Sequence, residues 1–284
     1  MFTGQQLSQL YQTACLDELQ ALKPGNVHIF ADGHRMVLAD FVKSAEASAK
    51  EIAQENLTVG ARIFNAVSAT QNAVGMNTNL GIILLCAPLI QAAYLRNADA
   101  HDVNQIPFQQ YLQNVLNNST VDDAARTAQA IVLANPAGLS QANAHDVHAT
   151  PTVTLLEMMI YAKNTDRIAW QYANGYEDVI DQGVASYQEA MQLWDNHAWA
   201  STWVYLNYLS AFEDTHIGRK LGVEVAQSVR QEALDVKLKV LQAGHPKLEK
   251  KRLFDWDAAL KQRGINPGTS ADLTVATLFF MRLM

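Results

Sequence analysis

The residues whose types and spacing could do chemistry are concentrated first in the hexapeptide Lys23-Pro24-Gly25-Asn26-Val27-His28. A cation, an amide and an imidazole leave one turn together. Pro24 fixes φ and cannot continue the preceding helix, and Gly25 lets the backbone come close to a bound group. Glu18 stands about one helical turn upstream. Such a turn is a cradle for phosphate or a nucleotide, although a lysine in a turn is also an ordinary surface feature.

Further polar residues gather at the ends of apolar stretches: Asp32 and His34, then Asn77-Thr78-Asn79, His145-Asp146 with His148, Asp166, Asp214 with His216, and Ser270 with Asp272. Asp146, Asp214 and Asp272 offer hard carboxylate oxygens of the kind that hold Mg²⁺ jointly with substrate phosphates. The competing reading is that Asp146, Asp166 and Asp272 charge or cap helix starts, as aspartate commonly does. Asn77, Thr78 and Asn79 likewise either cap the helix that follows or present side chains beside its free N–H groups, where an anion is favoured. His145, Asp146 and His148 lack the HExxH spacing of a zinc helix. No Walker loop, GxGxxG or GxSxG motif occurs.

These residues must be positioned by helices. Leu7, Leu10, Tyr11, Ala14, Cys15, Leu19 and Leu22 recur at three and four, predicting an amphipathic helix over 4–22. The same period predicts helices over 36–52, 59–73, 80–94, 108–117, 121–133, 176–195, 197–213, 222–243, 247–263 and from 271 onward. Thr150-Pro151 reads as the cap and first position of another, running to about Lys163, and Asp166 opens a further one. Segment 135–150 reads as a loop. No alternating strand, repeat or linker is visible, so the expectation is all-α, one globular multi-helix domain over 1–284. The aromatic stripe Trp199, Trp203, Tyr205, Tyr208 and Phe212 reads as core, with a homodimer face as the alternative.

Composition narrows the function classes. The chain has 284 residues, 49% of them apolar, with only 14 Gly and 7 Pro, as expected of helices with short connections. A formal charge of −7 argues against nucleic acid as the main partner, while leaving room for a local basic pocket. Cys15 and Cys86 read as buried thiols of a reducing compartment. The apolar run 81–95 is short for a bilayer and reads as a buried helix, so the expectation is a cytoplasmic protein with no membrane partner.

Taken in order, Lys23-Pro24-Gly25-Asn26-Val27, Phe41 with Ser44-Ala45, residues 77–81 (NTNLG), His145-Asp146-Val147, residues 166–172 (DRIAWQY), Asp214-Thr215, Asn266-Pro267-Gly268 and Ser270-Ala271-Asp272-Leu273 resemble the triphosphoribosyl-dephospho-CoA synthases, which make the prosthetic-group precursor of citrate lyase and malonate decarboxylase. The resemblance spans almost the whole chain. It implies an all-α enzyme that moves the triphosphoribosyl group of ATP from adenine to the 2′-hydroxyl of dephospho-CoA. It implies Lys23 and His28 at phosphate, and Asn77 and Asn79 at ribose or phosphate. Asp146, Asp214 and Asp272 would hold Mg²⁺, with Glu18 or Asp166 as the base for the acceptor hydroxyl. Two segments depart from the family pattern: residues 31–36, where Gly-Ala-His and Asp-Met are usual, and residues 216–222, where Asn and a His-Arg-Gly-Gly run are usual. They resemble the branch found in archaea and C1-metabolising bacteria, associated with tetrahydromethanopterin. That leaves a pterin-type acceptor, or a non-catalytic nucleotide-binding protein, as alternatives.

Overall fold

The apolar period resolves into fourteen α-helices among the described residues, which are 1–99, 106–138 and 144–284 of a computed structural model. No strand occurs among them, only two isolated β-bridges, so the protein is all-α. The helices are α1 (Gly4–Gln20), α2 (Leu38–Ile52), α3 (Val59–Val74), α4 (Leu80–Ala98), α5 (Phe108–Asn117), α6 (Val121–Ala134), α7 (Leu155–Ala162) and α8 (Arg167–Ala173), followed by α9 (Val184–Trp194), α10 (His197–Ala211), α11 (Thr215–Leu221), α12 (Val223–Ala243), α13 (Lys250–Gln262) and α14 (Gly268–Leu283). The described chain divides into two compact units. One comprises Met1–Thr13, Phe41–Glu177 and Phe279–Met284; the other comprises Ala14–Asp40 and Asp178–Leu278.

In the first unit the helix starts are written in the sequence as caps. Thr58 caps α3 through Ala61 N, and Thr120 with Asp123 forms a capping box on α6. Asp123 also accepts from Gly60 N at 2.8 Å. A side chain at Gly60 would come within 2.5 Å of the Asp123 backbone, so only glycine lets α3 and α6 meet here. The helix expected from Thr150-Pro151 starts later, at Leu155. There Thr154 and Glu157 make a second capping box that outcompetes the earlier Thr-Pro signal. Residues 139–143 of the predicted 135–150 loop lie outside the described residues.

Helix α4 is long and apolar enough by composition to cross a membrane, but 67% of its apolar window is buried within the fold, as a core helix requires. It runs through Pro88, which has no N–H to give the Leu84 carbonyl one turn earlier. Tyr172 supplies the missing donor: its hydroxyl donates to Leu84 O at 2.6 Å, and Tyr176 donates to Leu85 O at 3.0 Å. The DRIAWQY segment is thus partly a repair for the proline. Asp166 caps α8 and sets the register that brings Tyr172 to α4.

In the second unit the expected aromatic helix is core: Trp203, Tyr205 and Tyr208 on α10 are all buried. Residues 178–183 form a π-helical turn beneath Tyr208, whose hydroxyl donates to Asp178 O at 3.0 Å. Helix α11, which the sequence period does not mark, follows the Asp214 cap. Its seven residues are too few to show an apolar stripe.

Tyr172→Phe is expected to leave the buried Leu84 carbonyl without a donor and to cost about 1–3 kcal/mol. Urea unfolding followed by far-UV circular dichroism measures this; an unchanged midpoint would remove Tyr172 as the partner of the Pro88 break.

Candidate active site

The Lys23 turn is the organiser of the second unit. Lys23 is completely buried and donates to Glu18 Oε1 and, at 3.0 Å, to Asn26 Oδ1. Asn26 passes the contact on, its Nδ2 donating to Asn266 Oδ1 at 2.8 Å. Gly25 takes a positive φ of 84°, and its N–H donates to Asp257 Oδ1 at 2.8 Å. A side chain at Gly25 would press within 2.9 Å of Pro267 and 3.0 Å of Leu260, so the turn is clamped between α13 and the segment leading to α14. Tyr205 closes it from below by donating to Pro24 O at 2.7 Å. Burial pushes the Glu18 carboxyl up and the Lys23 amine down, each opposed by the attraction of the other.

After the turn the backbone makes two tight reversals. His28 and Ala31 exchange N–H···O bonds, as do Gly33 and Met36, placing Ile29-Phe30 and His34-Arg35 at the two tips. His34 and Arg35 both have positive φ, 57° and 64°, the signature of a type I′ reversal. This loop rides along one face of α13. His28 Nε2 lies 3.4 Å from Asp257 Oδ2, outside hydrogen-bonding geometry, and has no hydrogen-bond partner although the ring is buried. Its Nδ1 accepts from Phe30 N at 3.3 Å, which leaves the proton on Nε2. Lys261 donates to Asp257 Oδ2 at 3.0 Å and to Ala31 O at 3.2 Å. Burial lifts the Asp257 carboxyl, but His28, Lys261 and the Gly25 N–H outweigh it and hold it below the usual carboxylate range.

Asp214 caps two helices at once. Its Oδ1 accepts from His216 N and Ile217 N at 3.0 and 3.2 Å, starting α11, and its Oδ2 accepts from Ser270 N and Ser270 Oγ at 2.8 Å each, inside the first turn of α14. Burial pushes this carboxyl up, and the Ser270 and Ile217 bonds pull it back. The double cap brings His216 over Gly268, where a Cβ would lie 3.1 Å from His216 Nδ1. Burial first, then Arg219, Lys220 and His34, depress the His216 imidazole to about 4. His34, whose Nε2 lies 2.7 Å from Gly25 O, is also held low by burial, with Lys220 and Lys261 acting in the same direction. His34, His216, Arg219, Lys220 and Lys261 therefore form one electrostatically coupled group with partly accessible heads, beside a buried floor.

Each residue singled out in the sequence has a definite place. Glu18, Lys23, Asn26, His28, His34, Asp214, Ser270 and Asp272 all belong to the second unit. Of these, Glu18, Lys23, Asn26, His28, Asp214 and Ser270 are buried, while His34 and Asp272 are half-buried. Asn77, Thr78, Asn79, Asp146 and Asp166 belong to the first unit. There Asn79 and Thr78 join a polar network: Asn79 Nδ2 donates to Ser48 Oγ at 3.2 Å and Thr78 Oγ1 to Ser44 Oγ at 2.6 Å. Ser48 Oγ lies 3.1 Å from Tyr11 Oη. Asn77 Oδ1 accepts from Leu80 N at 3.2 Å, and Asp146 Oδ1 accepts from His148 N at 2.8 Å. Among the described residues no three His, Cys, Asp or Glu side chains converge as a metal site. Asp214 spends both oxygens on helix caps. Asp272 raises the Lys23 amine electrostatically, opposing the effect of burial.

Sequence reasoning missed Asp257, Lys261 and the coupling of His216 to His34. One signal was present: Asp257 sits on the apolar stripe of α13 between Leu253 and Leu260, where an acid has no reason to be unless it is paired.

A cationic rim lies beside a buried polar floor on this all-helical scaffold. The chain matches the ATP:dephospho-CoA triphosphoribosyl transferase family over residues 4–284 and belongs to that family. It is accordingly a transferase. It is similar in fold to a crystal structure from Archaeoglobus fulgidus assigned as a triphosphoribosyl-dephospho-CoA synthase, with 22% identity and a TM-score of 0.62, covering 86% of this chain and 96% of that one. No curated protein matches the chain.

Two expectations follow. Asp214→Ala removes two caps and should cost about 1–4 kcal/mol of stability at 0.5–2 per cap; an unchanged melting temperature with lost turnover would instead make Asp214 a metal or substrate ligand. The sign for acid is also fixed. An unfolded His216 takes up its proton near 6.5, whereas the folded ring does so only near 4. Stability therefore falls as pH drops from 6.5 towards 4. His216→Gln should flatten that slope by up to about 1.4 kcal/mol per pH unit, read from urea midpoints across the range.

Proposed function

We propose that this transferase moves the triphosphoribosyl group of ATP onto a hydroxyl of dephospho-CoA and releases adenine. Family membership supports triphosphoribosyl transfer to a dephospho-CoA-type acceptor. The observation that carries the reading to particular residues is the convergence of Lys261, Lys220, Arg219, His34 and His216 in a chain whose formal charge is −7. An acidic protein that concentrates cations at one loop–helix junction has a place for a polyanion.

In this reading the triphosphate lies on the Lys220, Lys261 and Arg219 side. Lys23, Glu18, Asn26 and Asn266 form the floor that fixes the turn rather than touching substrate, because Lys23 has no exposed surface. The bond from the ribose carbon to adenine breaks as the bond to the acceptor oxygen forms. The acceptor hydroxyl gives up its proton, and adenine takes one as it leaves. His34 and His216, kept neutral by burial and neighbouring cations, are the groups able to accept the hydroxyl proton. Mg²⁺, held by Asp272 together with substrate phosphates, would neutralise triphosphate charge.

A second reading has one observation behind it. Residues 31–36 and 216–222, which depart from the family pattern, meet through His34 and His216. The altered positions thus share one wall, as a changed acceptor such as a phosphorylated pterin precursor would require.

The test is to incubate purified protein with ATP and Mg²⁺, with dephospho-CoA or a phosphorylated pterin precursor, and to follow adenine and product mass. Adenine with a triphosphoribosyl-dephospho-CoA adduct is expected. Adenine only with the pterin would select the second reading, and none with either would overturn both. Lys220→Met, on an exposed side chain, should raise the KM for ATP about tenfold with an unchanged melting temperature, at the lower end of a charge-assisted contact.

A further inference from the structure

The proposed phosphate wall accounts for one end of the loop over 28–36; the other end carries an unexplained aromatic group. Phe30, at the tip of the first reversal, is 50% exposed, unusual for a phenylalanine this close to a buried polar floor. It meets Phe254 of α13 edge to face, with centroids 5.7 Å apart and planes at 83°. The His28 ring completes the group at 5.9 Å from Phe30 and 6.4 Å from Phe254. Lys250 reaches over both phenyl rings, its Nζ 5.1 and 5.6 Å from their centroids.

The placement along α13 is regular. Lys250, Phe254, Asp257 and Lys261 follow one another at four, three and four residues, one face of a helix. The loop lies along them in matching order: Phe30 at Phe254, His28 at Asp257, and the Ala31 carbonyl at Lys261. From Phe254 to Lys261 the helix rises about 10 Å. That is the reach of a nucleotide from its base to its phosphates.

A core role does not account for Phe30, since half of it faces solvent. The rings instead offer exposed apolar area with an exposed cation beside it, the composition of a platform for a flat heterocycle. We infer that Phe30 and Phe254 form the stacking platform for the adenine ring of a nucleotide substrate, with the Lys250 ammonium beside it and Lys261 marking the phosphate end. This rests on the nucleotide-transfer reading above. Adenine occurs in both ATP and dephospho-CoA, and the experiment separates them.

Calorimetric titration of the full chain with ATP, dephospho-CoA and inorganic tripolyphosphate would be compared for wild type, Phe30→Ala and Phe30→Trp. Phe30→Ala is expected to weaken one of the two nucleotides about five- to hundredfold, the range for one lost base–aromatic stack, and to leave tripolyphosphate unchanged. Phe30→Trp should retain the affinity. A loss confined to ATP assigns the platform to the donor, and one confined to dephospho-CoA assigns it to the acceptor. Equal nucleotide affinities in wild type and Phe30→Ala would overturn the platform while leaving the transferase reading standing. A parallel loss of tripolyphosphate affinity would also overturn it, as a sign that Phe30 merely shapes the phosphate wall. A wild type that binds neither nucleotide would overturn the nucleotide-transfer reading and the platform with it.

Discussion

The buried ion pair of Lys23 and Glu18 is the constraint on which the rest of the second unit depends. Taking both groups out of water is costly, and their attraction repays that cost only if the remaining donors and acceptors are also met. Lys23 meets this condition by donating to Asn26, and Asn26 by donating to Asn266, so one desolvated charge fixes three chain segments relative to each other. Breaking either charge would strand the other, which makes the turn an all-or-none element. Its backbone is then free to be used: Gly25 N–H goes to Asp257, Pro24 O to Tyr205 and Gly25 O to His34. A turn that spends its side chains inward and its backbone sideways is a floor, and in the proposed function the chemistry falls to the residues around it.

Asp214 does for helix starts what Lys23 does for the turn. A single carboxylate between the first turns of α11 and α14 is held by two sets of free N–H groups, where helix dipoles favour a negative charge. The geometric consequence is larger than the cap energy. Both helices must begin at the same point, and His216, two residues past the cap, is set against Gly268 without choice. The accessible wall therefore inherits its position from two buried anchors, neither of which needs to contact a ligand.

The sequence shows the helices well because amphipathic periods and caps are local. The boundaries of α3 and α5 are readable almost to the residue, and the Lys23 turn stands out for its mix of proline, glycine and polar side chains. What surrounds the turn is hidden because it arrives from far along the chain. Asp257 is 232 residues from Gly25, and Asn266 is 240 from Asn26. Nothing local to either partner encodes the pairing. Carboxylates at helix starts are ambiguous for a related reason: a capping aspartate and a metal-binding aspartate have the same sequence. The hydrogen bonds of Asp214 show that it caps both α11 and α14, which its sequence does not. The Pro88 repair by Tyr172 is equally invisible, since it joins a helix break to a hydroxyl 84 positions later.

The split between anchors and wall separates residues committed to buried partners from residues that can change at little cost. Lys23, Asn26, Asn266, Asp214 and Ser270 lie in segments that resemble the family pattern, and each is committed to a buried partner whose loss would leave a charge or amide unsatisfied. His34, His216 and Lys220 lie in residues 31–36 and 216–222, the segments that resemble it least. They are half-buried or exposed, and their imidazoles are held low by burial first and by nearby cations second. Changing such a group alters the charge and shape met by a ligand at little cost to packing. Because the two segments face each other, a change in one alters the electrostatic setting of the other. New acceptor chemistry would then require both to change together, with the floor beneath left as it was.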